Sequence, residues 1–338
     1  MGNVRNEILR SSYLIQPWLL LAPNDEDICH PGGRSGNETA NDGTSVAPEP
    51  ALRASESAVY PYPHLWHDSG MTIECALQDL PFTRADGEVL LAAVLGCDRA
   101  DLLTHPEREL TADQERQWNS FAKRRAAHEP VAYITETRDF YGRSFRCDSR
   151  ALIPRPSTET LVELTLDYLV KPRTEVREAD SGIVAASFAL RDGITSTIVD
   201  VGTGTGSIAV TLACERPDLR ILATDISSDA LALAEENAHA HGVQDRITFL
   251  NGDLLDALPP LSAPFLIVSN LPYIRLDATL PAEVSEFEPR GALLSGVEGT
   301  DALEKLAREA RTHPRCCGLL VECMEHQLPI ISRSLERI

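Results

Sequence analysis

The sequence predicts an α/β protein, a mainly parallel, doubly wound sheet covered by helices on both faces, preceded by a small helical domain. Three observations carry this. Between Thr197 and Cys323 apolar, β-branched runs alternate with helical stretches, and repeated β-α units pack as a parallel sheet between helix layers. The first run, Thr197 to Val201, passes into a turn with glycine at 202, 204 and 206 and then a helical stretch from Ser207 to Glu215. From Thr72 to about His128, apolar residues recur at helical spacing.

In chain order, residues 1–70 differ from the rest. The stretch Pro23 to Pro63 is rich in Gly, Pro, Ser, Asn and acids without periodic apolar positions, so residues 1–70 are expected to be a disordered, low-complexity extension. Met71 then opens a clean helical pattern and is expected to be the native start, or the extension to be dispensable. Residues 71–129 read as a helical domain around Leu90, Leu91, Val94 and Leu95, then Leu102 and Leu103, then Trp118 and Phe121, with Lys123-Arg124-Arg125 as a solvated helix face. Residues 130–157 read as a β-hairpin-like connector, Glu159 to Leu169 as a helix, and the charged stretch Lys171 to Ser196 as a surface loop. In the domain 158–338 the later strands are Arg220–Thr224, Arg246–Leu250, Phe265–Ser269 and Gly318–Cys323. Helices are expected over Asp229–His239, capped by Ser227 or Ser228 and stopped by Gly242, over Thr300–Arg311 and over Gln327–Arg337.

A net charge of −20 over 338 residues argues against a phosphate-gripping surface, so no direct nucleic-acid contact is expected. The eight cysteines show no C-x-x-C pairing and read as small buried hydrophobes in a reducing compartment; Cys29-His30 lacks a matching half, so no metal site is expected. No stretch reaches the roughly 18 apolar residues of a spanning helix, so no membrane is expected, and a cytoplasmic monomer is the default.

The glycine turn is the first chemical motif. Glycines let the backbone pass close to a ligand, and the helix that follows offers free amides. The next strand ends in Asp225, placed for two ribose hydroxyls, and Asn251-Gly252-Asp253-Leu254 follows the third, where a carboxylate suits the exocyclic amine of adenine. A dinucleotide fingerprint starting at Gly202 requires Gly or Ala at 207, where this chain has Ser. The cofactor-binding set is therefore Gly202, Thr203, Gly204, Thr205, Gly206, Asp225, Asp253 and Leu254 in a Rossmann-like sheet.

The second motif, Asn270-Leu271-Pro272-Tyr273, ends the apolar run Phe265 to Ser269. Pro272 biases Leu271 toward an extended conformation, so that an amide side chain and two carbonyls are turned toward a ligand, with Tyr273 available to stack on a flat group. Asn270 also borders the cofactor side.

Together, G-x-G-x-G, the acid ending the second strand, the acid after the third and Asn-x-Pro-Tyr ending the fourth resemble class I S-adenosylmethionine-dependent methyltransferases. Ala151-Leu152-Ile153-Pro154-Arg155-Pro156-Ser157-Thr158-Glu159 further resembles the Pro-Arg-Pro-x-Thr-Glu segment of the peptide chain release factor glutamine N5-methyltransferases, as do Pro130 to Ile134, Phe140-Tyr141, Phe287-Glu288-Pro289 and Ala292-Leu293. The resemblance covers roughly residues 72 to 330. It departs at Leu271, where the family has proline, and in the two further strands with which the family finishes its sheet; the expectation is that these strands have been lost or that the sequence is incomplete, and either way the sheet edge is in doubt.

The resemblance implies transfer of a methyl group from S-adenosyl-L-methionine to the glutamine side chain in the Gly-Gly-Gln motif of release factors, as part of translation termination. Asn270, Leu271, Pro272 and Tyr273 are the implied catalytic and substrate-binding residues, with Arg155 on the substrate side. Alternatives are methyl transfer to an exocyclic amine of DNA or RNA, a nicotinamide-dependent oxidoreductase and a non-catalytic cofactor-binding protein.

Overall fold

Short polar caps set the helices of the N-terminal domain in the computed structural model, which describes residues 70–170, 177–179, 183–187 and 196–336. Thr72 caps the single turn α1 (Ile73–Ala76), Thr83 caps α2 (Arg84–Leu95), Asp98 precedes α3 (Arg99–Thr104), and Thr111 with Gln114 forms a capping box on α4 (Ala112–Ala126). Each cap satisfies amides that a helix start leaves orphaned, worth about 1 kcal/mol. Ile73, Leu90, Leu91, Leu102 and Trp118 fill the core of this domain. Leu103, expected in the same core, is 64% exposed, because Leu102 takes the inward position and adjacent helical residues point about 100° apart. The expected disorder of residues 1–69 lies outside the described residues.

In the basic triplet Lys123 lies on the expected solvated face, while Arg124 and Arg125 depart from it. The Arg124 guanidinium donates to Glu129 at 2.5 and 2.8 Å and to the Tyr133 carbonyl at 3.2 Å. Arg125 pairs with Asp86 at 3.0 Å and with Glu283 at 2.9 Å. Acidic partners 39 residues upstream and far downstream turn a charge run into a clasp that local sequence does not display.

The connector contains a short turn, α5 (Val131–Ile134), and a hairpin of β1 (Thr137–Phe140) and β2 (Arg143–Arg146). Tyr141 and Gly142 make its two-residue loop at φ 51 and 70, the left-handed pair a tight hairpin favours. Phe140 and Phe145 meet edge to face at 5.9 Å and plug into the core of the larger domain.

That domain opens with α6 (Pro156–Val170), whose first residue is a proline with no amide to leave unsatisfied. The elements after it are β3 (Arg177–Ala179), β4 (Ile183–Ser187), β5 (Thr197–Val201), α7 (Ser207–Glu215), β6 (Arg220–Asp225), α8 (Ser228–Ala240), β7 (Ile247–Asn251), β8 (Phe265–Ser269), α9 (Ala282–Ser285), α10 (Asp301–Thr312), β9 (Cys316–Glu322) and α11 (Leu328–Glu336). The sheet order is β3-β4-β9-β8-β5-β6-β7, with β5 to β9 mutually parallel. Alternate residues of β5 serve opposite layers: Ile198 packs with Leu161, Ile208 and Leu212, while Val199 and Val201 pack with Leu303, Leu306 and Ile331. The strand order reverses between β6 and β8 on either side of β5, which opens a crevice at the carboxyl ends of these strands.

Two expectations for this domain are corrected. The segment expected as a surface loop contributes β3 and β4, and β4 pairs antiparallel with β9 from Ile183↔Glu322 to Ser187↔Gly318. The outer side of β9 is therefore covered rather than open. Strands of three and five residues whose ladder partner lies far along the chain carry little local pattern, and so were not legible.

Candidate active site

At the end of β5 the chain leaves the sheet and re-enters as α7 within five residues. Gly202, Gly204 and Gly206 take φ of 71, 55 and 79, a region where a side chain is strained. A Cβ on Gly202 would stand 2.8 Å from Leu271 Cδ2, and one on Gly206 3.0 Å from Ala234 Cβ, whereas one on Gly204 would meet only Ala151 at 3.9 Å. Gly202 thus seats the exit of β8, Gly206 packs α7 on α8, and Gly204 faces open space.

Under the loop lies Asp200, fully enclosed. Its Oδ2 accepts the Thr203 hydroxyl at 2.7 Å and the Ala209 amide at 3.1 Å, tying the loop to the first turn of α7. Burial outweighs those bonds and pushes its carboxyl up to about 7. Asp200 Oδ1 has no hydrogen-bond partner among the described residues.

At the end of β6, Asp225 accepts the Gly204 amide at 2.9 Å on one oxygen and the Ser227 amide at 2.9 Å on the other, so it braces both the glycine loop and the start of α8. Burial raises its carboxyl, opposed by the amides of Ser227, Gly204 and Ile226. Asp253 Oδ2 is taken by the Lys305 ammonium at 2.5 Å. A cavity of about 360 Å³ collects Gly202 to Thr205, Asp225, Asp253 and Leu254 with Asn270, Leu271, Pro272 and Arg155. Gly206 and Tyr273 do not line it.

The far wall is assembled from distant segments. Arg155 donates to Glu288 at 2.5 Å, and the same buried carboxylate accepts the Ile153 amide at 3.2 Å, which joins the Pro-Arg-Pro and Phe-Glu-Pro segments. Asn270 Nδ2 donates to the Thr158 hydroxyl at 2.8 Å. The Tyr273 ring packs on the apolar layer beneath the sheet, its hydroxyl donates to Glu322 at 3.1 Å, and its carbonyl accepts from Gln327 Nε2 at 2.9 Å. Burial and the neighbouring Glu322 charge raise the Tyr273 hydroxyl.

Two family profiles match the chain, the PrmC N-terminal domain over residues 72–135 and the methyltransferase small domain over residues 178–287. A protein of Koribacter versatilis called release factor glutamine methyltransferase is 40% identical over 237 residues, 70% of this chain and 76% of that protein. Relatives of the same name from Rhodopirellula baltica and Xylella fastidiosa are 36% and 41% identical, covering 75% and 72% of this chain and 80% of each relative. The chain belongs to the release factor glutamine methyltransferase family.

As a methyltransferase of this family it uses S-adenosylmethionine, and the site fits that molecule. Gly204 leaves room for close approach, Asp225 keeps lone pairs for hydroxyls, and the exposed Ile226 side chain lies on the cavity wall as an apolar shelf. The cavity volume is in the range of small-molecule sites. No helix among the described residues is long and apolar enough to cross a membrane.

Sequence reasoning passed over Glu322, Gln327 and Ile226. Glu322 had a readable signal: it closes the apolar strand Leu319-Leu320-Val321 at the same carboxyl end of the sheet as Asp225 and Asn270. Gln327 had none, since only its contacts with the Tyr273 and Glu298 carbonyls reveal it.

Proposed function

We infer that the chain transfers a methyl group from S-adenosylmethionine to the side-chain amide nitrogen of the glutamine in the Gly-Gly-Gln motif of peptide chain release factors. The observation that carries this reading is the meeting, in one cavity, of the glycine loop and Asp225 with Asn270, whose amide NH₂ is already committed to Thr158. Its oxygen is left to accept an N–H from an incoming amide.

Gly202, Thr203, Gly204 and Thr205 hold the methyl donor by backbone, with Gly206 behind them closing the turn onto α8, Asp225 takes its ribose, and Asp253, Leu254 and Asn270 border its base and methionine ends. Bound there, it supplies a methyl group activated by a positively charged sulfur. An amide nitrogen is a weak nucleophile because its lone pair is delocalised into the carbonyl. Asn270 Oδ1 and the Leu271 carbonyl accept its two N–H groups and aim that lone pair, while Pro272 stiffens the turn and Tyr273 anchors it. The same acceptors stabilise the positive charge that grows on nitrogen, preorganised electrostatics of the kind that lowers barriers by several kcal/mol. No titrating base is required, since the extra proton leaves after transfer.

Arg155, braced by Glu288, stands on the substrate side. Residues 71–129 hold the release factor, and the reaction runs in the cytoplasm on a monomer without direct nucleic-acid contact. A methyl-transfer assay with purified release factor, its Gln-to-Ala variant and bulk nucleic acid tests this. Label on the parent release factor alone supports the reading, and label on nucleic acid or on the Gln-to-Ala variant overturns it.

A further inference from the structure

We propose that Glu322 is a positioning residue for methyl transfer. Through the Thr158 hydroxyl, it dictates which end of the Asn270 amide faces the acceptor. The inference rests on the amide-methylation reading above, and it adds a residue that never touches the substrate.

A side-chain amide has nearly the same shape at both ends, one a donor and the other an acceptor. A slot that must accept N–H groups works only if the amide is held one way round. Asn270 Nδ2 lies 2.8 Å from Thr158 Oγ1, which lies 2.8 Å from Glu322 Oε2. A carboxylate only accepts, so the one proton of the Thr158 hydroxyl must go to Glu322. The Thr158 oxygen is then left as an acceptor, Asn270 must present its NH₂ there, and its Oδ1 is turned away from Thr158. The hydrogen-bond network thus assigns the amide orientation.

Glu322 is buried, with 3% of its surface exposed, and its other oxygen accepts the Ser157 hydroxyl at 2.9 Å and the Tyr273 hydroxyl at 3.1 Å. One carboxylate therefore orients both ends of the Asn270-to-Tyr273 turn. Glutamine at 322 keeps the shape but not the polarity. Its oxygen can serve Ser157 and Tyr273 while its NH₂ donates to Thr158, whose proton then points at Asn270 Oδ1. The Asn270 amide turns over and presents donors to a substrate that also brings donors.

The test compares Glu322→Gln, Thr158→Ser and Thr158→Val with the parent. Turnover and KM are measured with release factor, cofactor affinity by calorimetry, and exchange of the Asn270 amide protons by NMR. Glu322→Gln is expected to lower kcat about 100-fold, in line with the loss of one preorganised group, with KM and cofactor Kd within about threefold. Thr158→Ser keeps the relay and holds kcat within about threefold; Thr158→Val breaks it and lowers kcat at least about 10-fold. In an Asn270→Ala background, Glu322→Gln should cost little more, since the two act as one unit. Parent-like turnover in Glu322→Gln, or a full additional loss in that background, overturns the proposal. If Glu322→Gln does not fold, the serine and valine variants decide, and equal rates for the two overturn it. If the parent methylates no release factor, the amide-methylation reading fails. The relay is then judged by the Asn270 amide protons, protected in parent and Thr158→Ser and exposed in Glu322→Gln, and unchanged exchange refutes it.

Discussion

The two walls of the cavity are built differently. The wall proposed to hold the nucleotide, as against the one proposed to hold the acceptor, is local: Asp200 reaches Thr203 and Ala209 three and nine residues away, and Asp225 reaches Gly204 across 21. The acceptor wall joins Thr158, Asn270 and Glu322 over separations of 112 and 164 residues. A local wall is set once a strand enters its turn and helix, while a wall made of distant segments exists only when the whole sheet is assembled. Substitutions should divide the same way, into those that weaken cofactor binding and those that slow transfer with the cofactor still bound.

The largest expected effect comes from Asn270→Ala, which removes the side-chain acceptor on the acceptor wall. Turnover should fall about 100-fold or more, while calorimetric cofactor affinity stays within about threefold. Equal losses in both would merge the two walls.

Asp225→Ala breaks the other side. Its carboxylate is proposed to bind the ribose and braces the Gly204 amide, so cofactor binding should weaken by about 1.5–3 kcal/mol, roughly 10- to 150-fold. Unchanged affinity would move the ribose contact elsewhere. Gly204→Val should weaken binding by about 10-fold, since its side chain would fill the space the glycine leaves for close approach of the ligand. An unaltered Kd there would remove the loop from the contact surface.

These contrasts follow what was legible in the sequence. Gly202, Gly204, Gly206 and Asp225 sit in one strand-turn-helix unit whose spacing already states its geometry, and Asn270 to Tyr273 stood out by its proline and its place at a strand end. Arg124 and Arg125 were misread because the sign of a charge says nothing about a partner such as Glu283. β4 was misread because a five-residue strand is defined by the ladder it joins, here with β9. Glu322 could be read as an acid closing an apolar strand at the ligand end of the sheet, but its role lies in hydroxyls carried by α6 and by the turn after β8, which the strand itself does not display.

The smallest effect on activity is expected at Asp200, whose pH dependence probes the nucleotide wall alone. Its carboxyl titrates near 3.9 when unfolded and is pushed up to about 7 in the fold by burial. The protonated form is therefore favoured by folding. Its contribution to stability is complete below about pH 4 and is lost as pH rises through 7. Thermal melts from pH 4 to 8 should show Asp200→Asn losing less stability than the parent across that window. Parallel curves would mean that Asp200 does not titrate there.

Tandem mass spectrometry of release factor after incubation with the chain and S-adenosylmethionine addresses the proposed reaction most directly. One methyl group on the side-chain nitrogen of the Gly-Gly-Gln glutamine is the expected product. A methyl group on another residue, or an unmodified release factor, would contradict it.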